Sequence, residues 1–260
     1  WAFIKRAWFS RFYSRYMKTK RSLRRVARFI REYRLECADW EKQPSEFTSF
    51  NDFFCRRLKP SARPVVQDPG VAVFPADGRH LGYSNVSQMQ GFFVKGQYFN
   101  LEKLLGCAKR AAPFLNGAVV FSRLCPTDYH RFHFPEAGVP QAPERLRGTL
   151  CSVNPIALRQ RISILWENRR VFTQIQTERF GRVGMVEVGA TLVGTIMQTY
   201  KAGEAVERGQ EKGFFQFGGS AVITLFEPGR IRLSEDLLAQ SEQGCELFAH
   251  VGDHLGTALP

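Results

Sequence analysis

Three stretches of the chain set reactive side chains beside turn residues. Pro75-Ala76-Asp77-Gly78 puts a carboxylate on a tight turn. Tyr129-His130-Arg131-Phe132-His133-Phe134-Pro135 holds two of the five histidines, His130 and His133. Phe217-Gly218-Gly219-Ser220 places a hydroxyl behind two glycines, where the backbone is free to bend and a side chain can reach the carbonyl before it. A carboxylate, an imidazole and a hydroxyl are the parts of a base-activated nucleophile. Each stretch also has a plainer reading: an Asx-turn for Asp77, a metal-ligand pair for the histidines that lacks a third donor nearby in sequence, and a hairpin or bulge for Gly-Gly-Ser. Ser220 is not a nucleophile elbow, because G-x-S-x-G would need glycine at Val222 and a helix after the serine.

The elements that must carry these groups read as short strands. Beyond residue 70, apolar runs bounded by Gly or Pro fall at 71–74, 117–121, 149–153, 162–165, 171–175, 183–188, 191–196, 214–217 and 221–226. They are rich in Val, Ile, Phe and Thr, and their close spacing suits antiparallel strands rather than strands joined by crossover helices. The expected fold class is α+β, a mostly antiparallel β body with N-terminal amphipathic helices. Residues 47–54 predict a short aromatic helix, set off by Pro44, Pro60 and Pro64. No repeat or Gly/Ser linker divides the remainder, so the expected division is an N-terminal segment 1–44 and a body 45–260.

Charge is concentrated at the front. The 260 residues carry 37 Lys and Arg against 24 Asp and Glu, a formal +13, yet residues 1–34 alone hold 12 basic residues and one acid, Glu32. From Lys20 to Cys37 the pattern is helical: Leu23, Val26, Ala27, Ile30, Tyr33 and Cys37 share one side, with Lys20, Arg21, Arg24, Arg25, Arg28, Arg31 and Arg34 opposite. Upstream, Trp1, Ile4, Trp8, Phe12 and Tyr16 form a less regular stripe. An apolar stripe beside an Arg-rich face suits a helix lying on an anionic lipid surface, at roughly 1 kcal/mol of attraction per basic residue. A nucleic-acid-binding arm and a solvated helix docked on the body are the alternatives, and no sequence-specific nucleic-acid motif follows.

No run of about 18 apolar residues exists, so no membrane-spanning helix is expected. Lys5, Arg6, Arg11 and Arg15 break every early apolar run and argue against a cleavable signal. Trp1 rather than Met opens the chain, which leaves its natural start undefined. Six scattered cysteines without a C-x-x-C pair predict reduced thiols and no zinc site.

Six blocks in order carry a resemblance. Asn51-Asp52-Phe53-Phe54-Cys55-Arg56-Arg57-Leu58-Lys59-Pro60 with Arg63-Pro64, then Pro75-Ala76-Asp77-Gly78, Tyr129-His130-Arg131-Phe132-His133, Ser152-Val153-Asn154-Pro155, Val188-Gly189-Ala190-Thr191-Leu192-Val193-Gly194-Thr195-Ile196 and Phe217-Gly218-Gly219-Ser220 resemble the phosphatidylserine decarboxylases. The likeness runs from about residue 45 to about 230, with a weaker echo at Val251-Gly252-Asp253-His254-Leu255-Gly256. Ala221 departs from the Ser or Thr usual in that family, and Gly218 from the Leu of many members; both leave the Gly219-Ser220 pair intact.

The resemblance implies a proenzyme that cuts itself between Gly219 and Ser220 into a β subunit, 1–219, and an α subunit, 220–260. His133 would take the hydroxyl proton of Ser220, with Asp77 orienting the imidazole. The oxygen would add to the Gly219 carbonyl, and elimination and hydrolysis would leave a covalent pyruvoyl group at position 220, the only cofactor implied. That group would hold the serine amine of phosphatidylserine as a Schiff base, and loss of CO2 would give phosphatidylethanolamine. His130 is implied as the acid that protonates the product and Ser152 as a holder of the substrate carboxylate; no metal is implied. Expected partners are phosphatidylserine, an anionic membrane surface and the two subunits of the cut chain, with a homodimer as an option. Expected placement is peripheral, on the cytoplasmic face of a bacterial inner membrane. A pyruvoyl-dependent decarboxylase of a soluble amino acid and a non-processing membrane-binding relative are the alternatives.

Overall fold

The computed structural model describes residues 13–86, 99–190, 195–217 and 220–260. Its strands are β1 (Val71–Val73), β2 (Gly78–Tyr83), β3 (Val119–Leu124), β4 (Arg131–His133), β5 (Val139–Pro140), β6 (Glu144–Leu146), β7 (Arg170–Gln176), β8 (Arg182–Gly189), β9 (Ile196–Gln198), β10 (Glu211–Phe215), β11 (Ser220–Phe226), β12 (Ile231–Leu233), β13 (Leu247–Ala249) and β14 (His254–Ala258). The largest sheet runs β13-β2-β3-β11-β8-β7-β5, with β6 also on β7; two smaller sheets run β4-β10-β9 and β1-β14-β12. Every ladder is antiparallel.

The large sheet is buried on both faces. Along β11, Val222 and Phe226 join one core with Phe132, Met185 and Phe215. Ile223 and Leu225 join a second with Phe114, Phe172 and Val186. A strand covered on both sides reads as a continuous apolar run, which is why 221–226 stands out in the sequence. The runs at 71–74, 117–121, 171–175 and 183–188 likewise fall on β1, β3, β7 and β8.

Two expected strands are absent. Residues 162–165 enter a short helix, Ile164–Glu167, because a brief apolar run has no period long enough to separate helix from strand. Residues 149–153 make only one bridge, Thr149 to Asn168, and are held by the Asn168 side chain instead of a ladder. Part of the run at 191–196 lies outside the described residues; β9 begins at Ile196.

The basic front end is helical over Arg24–Tyr33, after a 3-10 turn at Lys20–Leu23. Leu23, Val26 and Ile30 pack inward on a cluster that includes Trp40, Phe47, Phe50, Phe53 and Phe54. Phe29 also turns inward, 5.5 Å from Phe50, whereas Ala27 and Tyr33 face solvent, a correction to the stripe expected from periodicity. The expected aromatic helix forms as Phe50–Phe54. Arg21, Arg24, Arg25, Arg28 and Arg31 remain exposed. The stripe at Trp1, Ile4, Trp8 and Phe12 lies outside the described residues. Among the described residues no helix is long and apolar enough to cross a membrane, and all six cysteines are unpaired.

Candidate active site

One end of the large sheet gathers the residues of interest. Ser220, first in β11, sits opposite Leu124 of β3 on one side and Gly189 of β8 on the other. Gly78 opens β2 beside Leu124: a Cβ there would lie 2.5 Å from the Arg123 carbonyl, so only glycine lets the chain leave Asp77 and enter the sheet at this point. The Ser220 side chain is fully buried and its hydroxyl has no hydrogen-bond partner among the described residues.

The approach to Ser220 is held in place from the front of the chain. Phe215 N–H donates to the His130 carbonyl at 2.9 Å, and the Cys55 thiol donates to the Phe215 carbonyl at 3.3 Å. Phe217 N–H donates to Asn51 Oδ1 at 3.1 Å. The Phe217 ring packs on Phe50, Phe54 and Tyr13 at 5.1, 5.2 and 5.9 Å. Gly218 and Gly219 lie outside the described residues.

Both histidines of the second stretch stand at this end, on the neighbouring small sheet. His130 is fully buried beneath Phe54, with ring centroids 3.8 Å apart. Its Nδ1 is 2.9 Å from the Asp128 carbonyl. A carbonyl only accepts, so Nδ1 carries the proton and Nε2 is left as a buried lone pair without a partner. Burial holds the His130 pKa down at about 3. His133 donates its backbone N–H to the Pro75 carbonyl at 2.7 Å, which ties β4 to the Asp77 turn. Its Nδ1 is also buried and unpartnered. Burial lowers its pKa to about 4, against the pull of Glu211 and Asp77, so the ring is neutral and able to accept a proton.

Asp77 is the saturated member of the set. Arg63 donates from Nε to both carboxylate oxygens at 3.0 and 2.9 Å and from Nη2 at 2.7 Å; Val251 N–H adds a bond of 2.9 Å. His250 Nδ1 stands 3.4 Å from Oδ2, an ion-pair distance without hydrogen-bond alignment. Burial pushes the carboxyl upward, but His250, Arg63 and the Val251 amide outweigh it and hold the pKa at about 2. The hydrogen bond expected from Asp77 to His133 is therefore not made, because the guanidinium and the amide occupy its acceptor directions. Asp77 reaches both site histidines through its field.

Ser152 reaches the same end by a different route. Asn168, fully buried, accepts from Cys151 N–H at 2.8 Å and donates to the carbonyls of Cys151 and Gly189, both at 2.8 Å. It thereby pins the residue before Ser152 to the strand partner of Ser220. Ser152 lines a cavity of about 190 Å³ with Leu124, Asn154 and Ala190. Among the described residues no three His, Cys, Asp or Glu side chains form a group that could hold a metal ion.

Comparison with known proteins agrees with this geometry. Residues 50–256 match the family model described as phosphatidylserine decarboxylase. The chain belongs to the phosphatidylserine decarboxylase family. It is 44% identical to a phosphatidylserine decarboxylase proenzyme of Chlamydia caviae over 250 residues, covering 96% of this chain and 84% of the relative. The proenzyme of Chlamydia pneumoniae is 44% identical over 248 residues, covering 95% and 82%. That of Chlamydia muridarum is 42% identical over 253 residues, covering 97% and 84%.

In this family member the Ser220 hydroxyl is buried, unspent on any hydrogen bond among the described residues, at the head of a strand paired on both sides. Sequence reasoning missed Asn168 and His250. Asn168 sits between apolar runs with no reactive neighbour. His250 precedes the weak block at 251–256, and only the β13-β2 ladder, which pairs Ala249 with Gly78, brings it to Asp77.

Proposed function

We propose that this chain is a self-processing phosphatidylserine decarboxylase, cut between Gly219 and Ser220 and using the resulting pyruvoyl group. The observation that carries the reading is the buried, unpartnered Ser220 hydroxyl at the sheet end that also holds two unpartnered imidazole nitrogens, on His130 and His133. A buried polar atom without a partner costs about 1–3 kcal/mol, and each of these three calls for a chemical reason.

His133 is the base that takes the Ser220 proton as the oxygen adds to the Gly219 carbonyl. Asp77 favours the imidazolium so formed by charge, and Arg63 fixes where that charge sits. The pyruvoyl group supplies an electron-withdrawing ketone that holds the substrate amine and receives the electron pair freed when CO2 leaves. His130 Nε2, a lone pair at the outset, takes a proton as the amine is engaged and returns it to carbon after decarboxylation. Ser152 holds the carboxylate at the mouth of its cavity. The exposed arginines of the front helix attract an anionic bilayer, placing the enzyme peripherally at a bacterial membrane, on its cytoplasmic face.

Denaturing electrophoresis with intact-mass measurement tests the cut. Two chains divided before residue 220, the smaller lacking an α-amine, with CO2 release from phosphatidylserine vesicles, are expected. A whole chain whose mass and silence match Ser220→Ala would overturn the reading.

A further inference from the structure

The row of side chains that contains Ser220 continues across the sheet into arginine. Register pairs Ser220 with Gly189, and Gly189 N–H donates to the Arg169 carbonyl at 2.9 Å. Leu146 pairs with Arg170 at the end of the β6-β7 ladder, and Arg147 follows it directly. One row further in, Arg145 pairs with Val171 and Val171 with Glu187. Residues directly opposite one another in a sheet project from the same face, so Arg145 stands on the face that carries Val222 and Ser220, and Arg147 and Arg169 line the same cavity as Arg145. Gly189, between Arg169 and Ser220, has no side chain to obstruct that line.

These arginines line a cavity of about 540 Å³ together with Gly189, Thr195 and Met197. Several other arginines of the body are paired: Arg110 with Glu144, Arg123 with Glu246, Arg131 with Glu211, Arg182 with Glu227. Arg145, Arg147 and Arg169 have no acidic partner among the described residues. Glu144, their neighbour on β6, turns to Arg110 on the other face, and Glu187 is neutralised by Lys212. Arg170 is spent on the carbonyls of Lys103, Leu104 and Asn168.

We propose that Arg147 and Arg169, with Arg145 beside them, form the subsite for the phosphodiester of the lipid headgroup. This rests on the decarboxylase reading above. Two strand spacings put the Arg169 Cα about 10 Å from that of Ser220, and Arg147 shares the cavity with Arg169. In phosphatidylserine the phosphorus lies beyond Cα, Cβ and the ester oxygen as counted from the amine. An amine held at position 220 therefore carries the phosphate along the row into reach of the guanidinium forks, which suit a diester anion by charge and by paired N–H donors. Ser152 lines a smaller cavity that reaches both Leu124 and Ala190, while the arginines line the cavity beside Gly189. Free serine, lacking the phosphate, would then be a poor substrate.

The first test is kinetic, on detergent-solubilised phosphatidylserine and per mole of cleaved chain. Arg147→Gln with Arg169→Gln is expected to raise KM about 10- to 100-fold with kcat largely kept, because the contact is made before and during the reaction alike. Arg232→Gln, an exposed charge remote from the row, controls for net charge. A KM unchanged in the double variant, while the unaltered enzyme cuts itself and releases CO2, would overturn the subsite alone; an unaltered enzyme that does neither would overturn the decarboxylase reading. The second test needs no turnover: calorimetric titration of the uncut Ser220→Ala chain with glycerophosphoserine, expected to bind, and to lose that binding when the two arginines are replaced. Inorganic phosphate binding more tightly than glycerophosphoserine would reassign the cavity to free phosphate. Loss of sedimentation with phosphatidylglycerol vesicles at unchanged KM would reassign the arginines to bilayer contact.

Discussion

Two buried polar sets stand two residues apart on the same face of the same strands, and they are treated in opposite ways. Val222 of β11 lies opposite Glu187 of β8, whose carboxylate meets Lys212 Nζ at 2.9 Å; both side chains are fully buried. Gln198 closes the triangle, donating to Glu187 and accepting from Lys212, both at 2.8 Å. At Ser220, the next position on that face, the hydroxyl has no hydrogen-bond partner among the described residues, and neither do His130 Nε2 and His133 Nδ1. Full pairing is what a buried charge requires if it is only to hold β8, β9 and β10 together. Leaving polar atoms unpaired at a neighbouring position sacrifices stability and keeps lone pairs and a proton available for reaction.

The largest effect expected from breaking this contrast is on the reactive side. His133→Ala should slow self-cleavage by about 10²–10⁴-fold, read as the uncut fraction against time, with little change in thermal midpoint. Cleavage at the unaltered rate would remove His133 from the role of base. Next comes the paired side: Lys212→Met strands the Glu187 charge and should cost about 3–5 kcal/mol in urea unfolding. Combining it with Glu187→Leu should recover most of that loss, and a single variant as stable as the parent would show that the triangle is not structural.

The smallest effect is in the pH dependence of Asp77. Its pKa of about 2 lies below the ordinary value near 3.9, so it contributes about 2 kcal/mol that is fully present above pH 4 or so and lost as the pH falls toward 2. His250 is shifted the other way by Asp77, so its share is full below its ordinary value near 6.5 and lost as the pH rises through its raised value. His130 and His133, which burial holds at about 3 and 4, add stability that is full above about pH 6.5 and lost as the pH falls below it, so urea midpoints should peak near neutral pH, with Asp77 steepening the fall below about pH 4. Asp77→Asn should flatten the acid limb, and an unaltered limb in that variant would place the acid sensitivity elsewhere.

The antiparallel body was legible because strands such as β8 and β11 are apolar throughout and bounded by glycine or proline. The three reactive stretches were legible because turn residues flank them. What escaped was set by register. Asp77 is claimed by Arg63, His250 and the Val251 amide, partners brought in by the β13-β2 ladder and by the segment before β1, and nothing local announces them. Arg145, Arg147 and Arg169 look like scattered surface charge in the sequence, yet they line one cavity beside Gly189, the strand partner of Ser220. The front helix was read correctly as amphipathic, yet its apolar side is used to cover Phe50 and Phe53, contacts that spacing cannot reveal.

The strand headed by Ser220 sits in the interior of the large sheet, bonded to β3 and β8, while β13 is laced to β2 and β14 to β1. Hydrolysis of the link before residue 220 would thus sever the backbone without freeing a molecule. The 41 residues that follow would stay interleaved with the larger piece at three separate seams, and parting the two would amount to melting the whole protein. A nicked preparation should accordingly migrate as one species until denatured, with no reassociation step on which its activity depends.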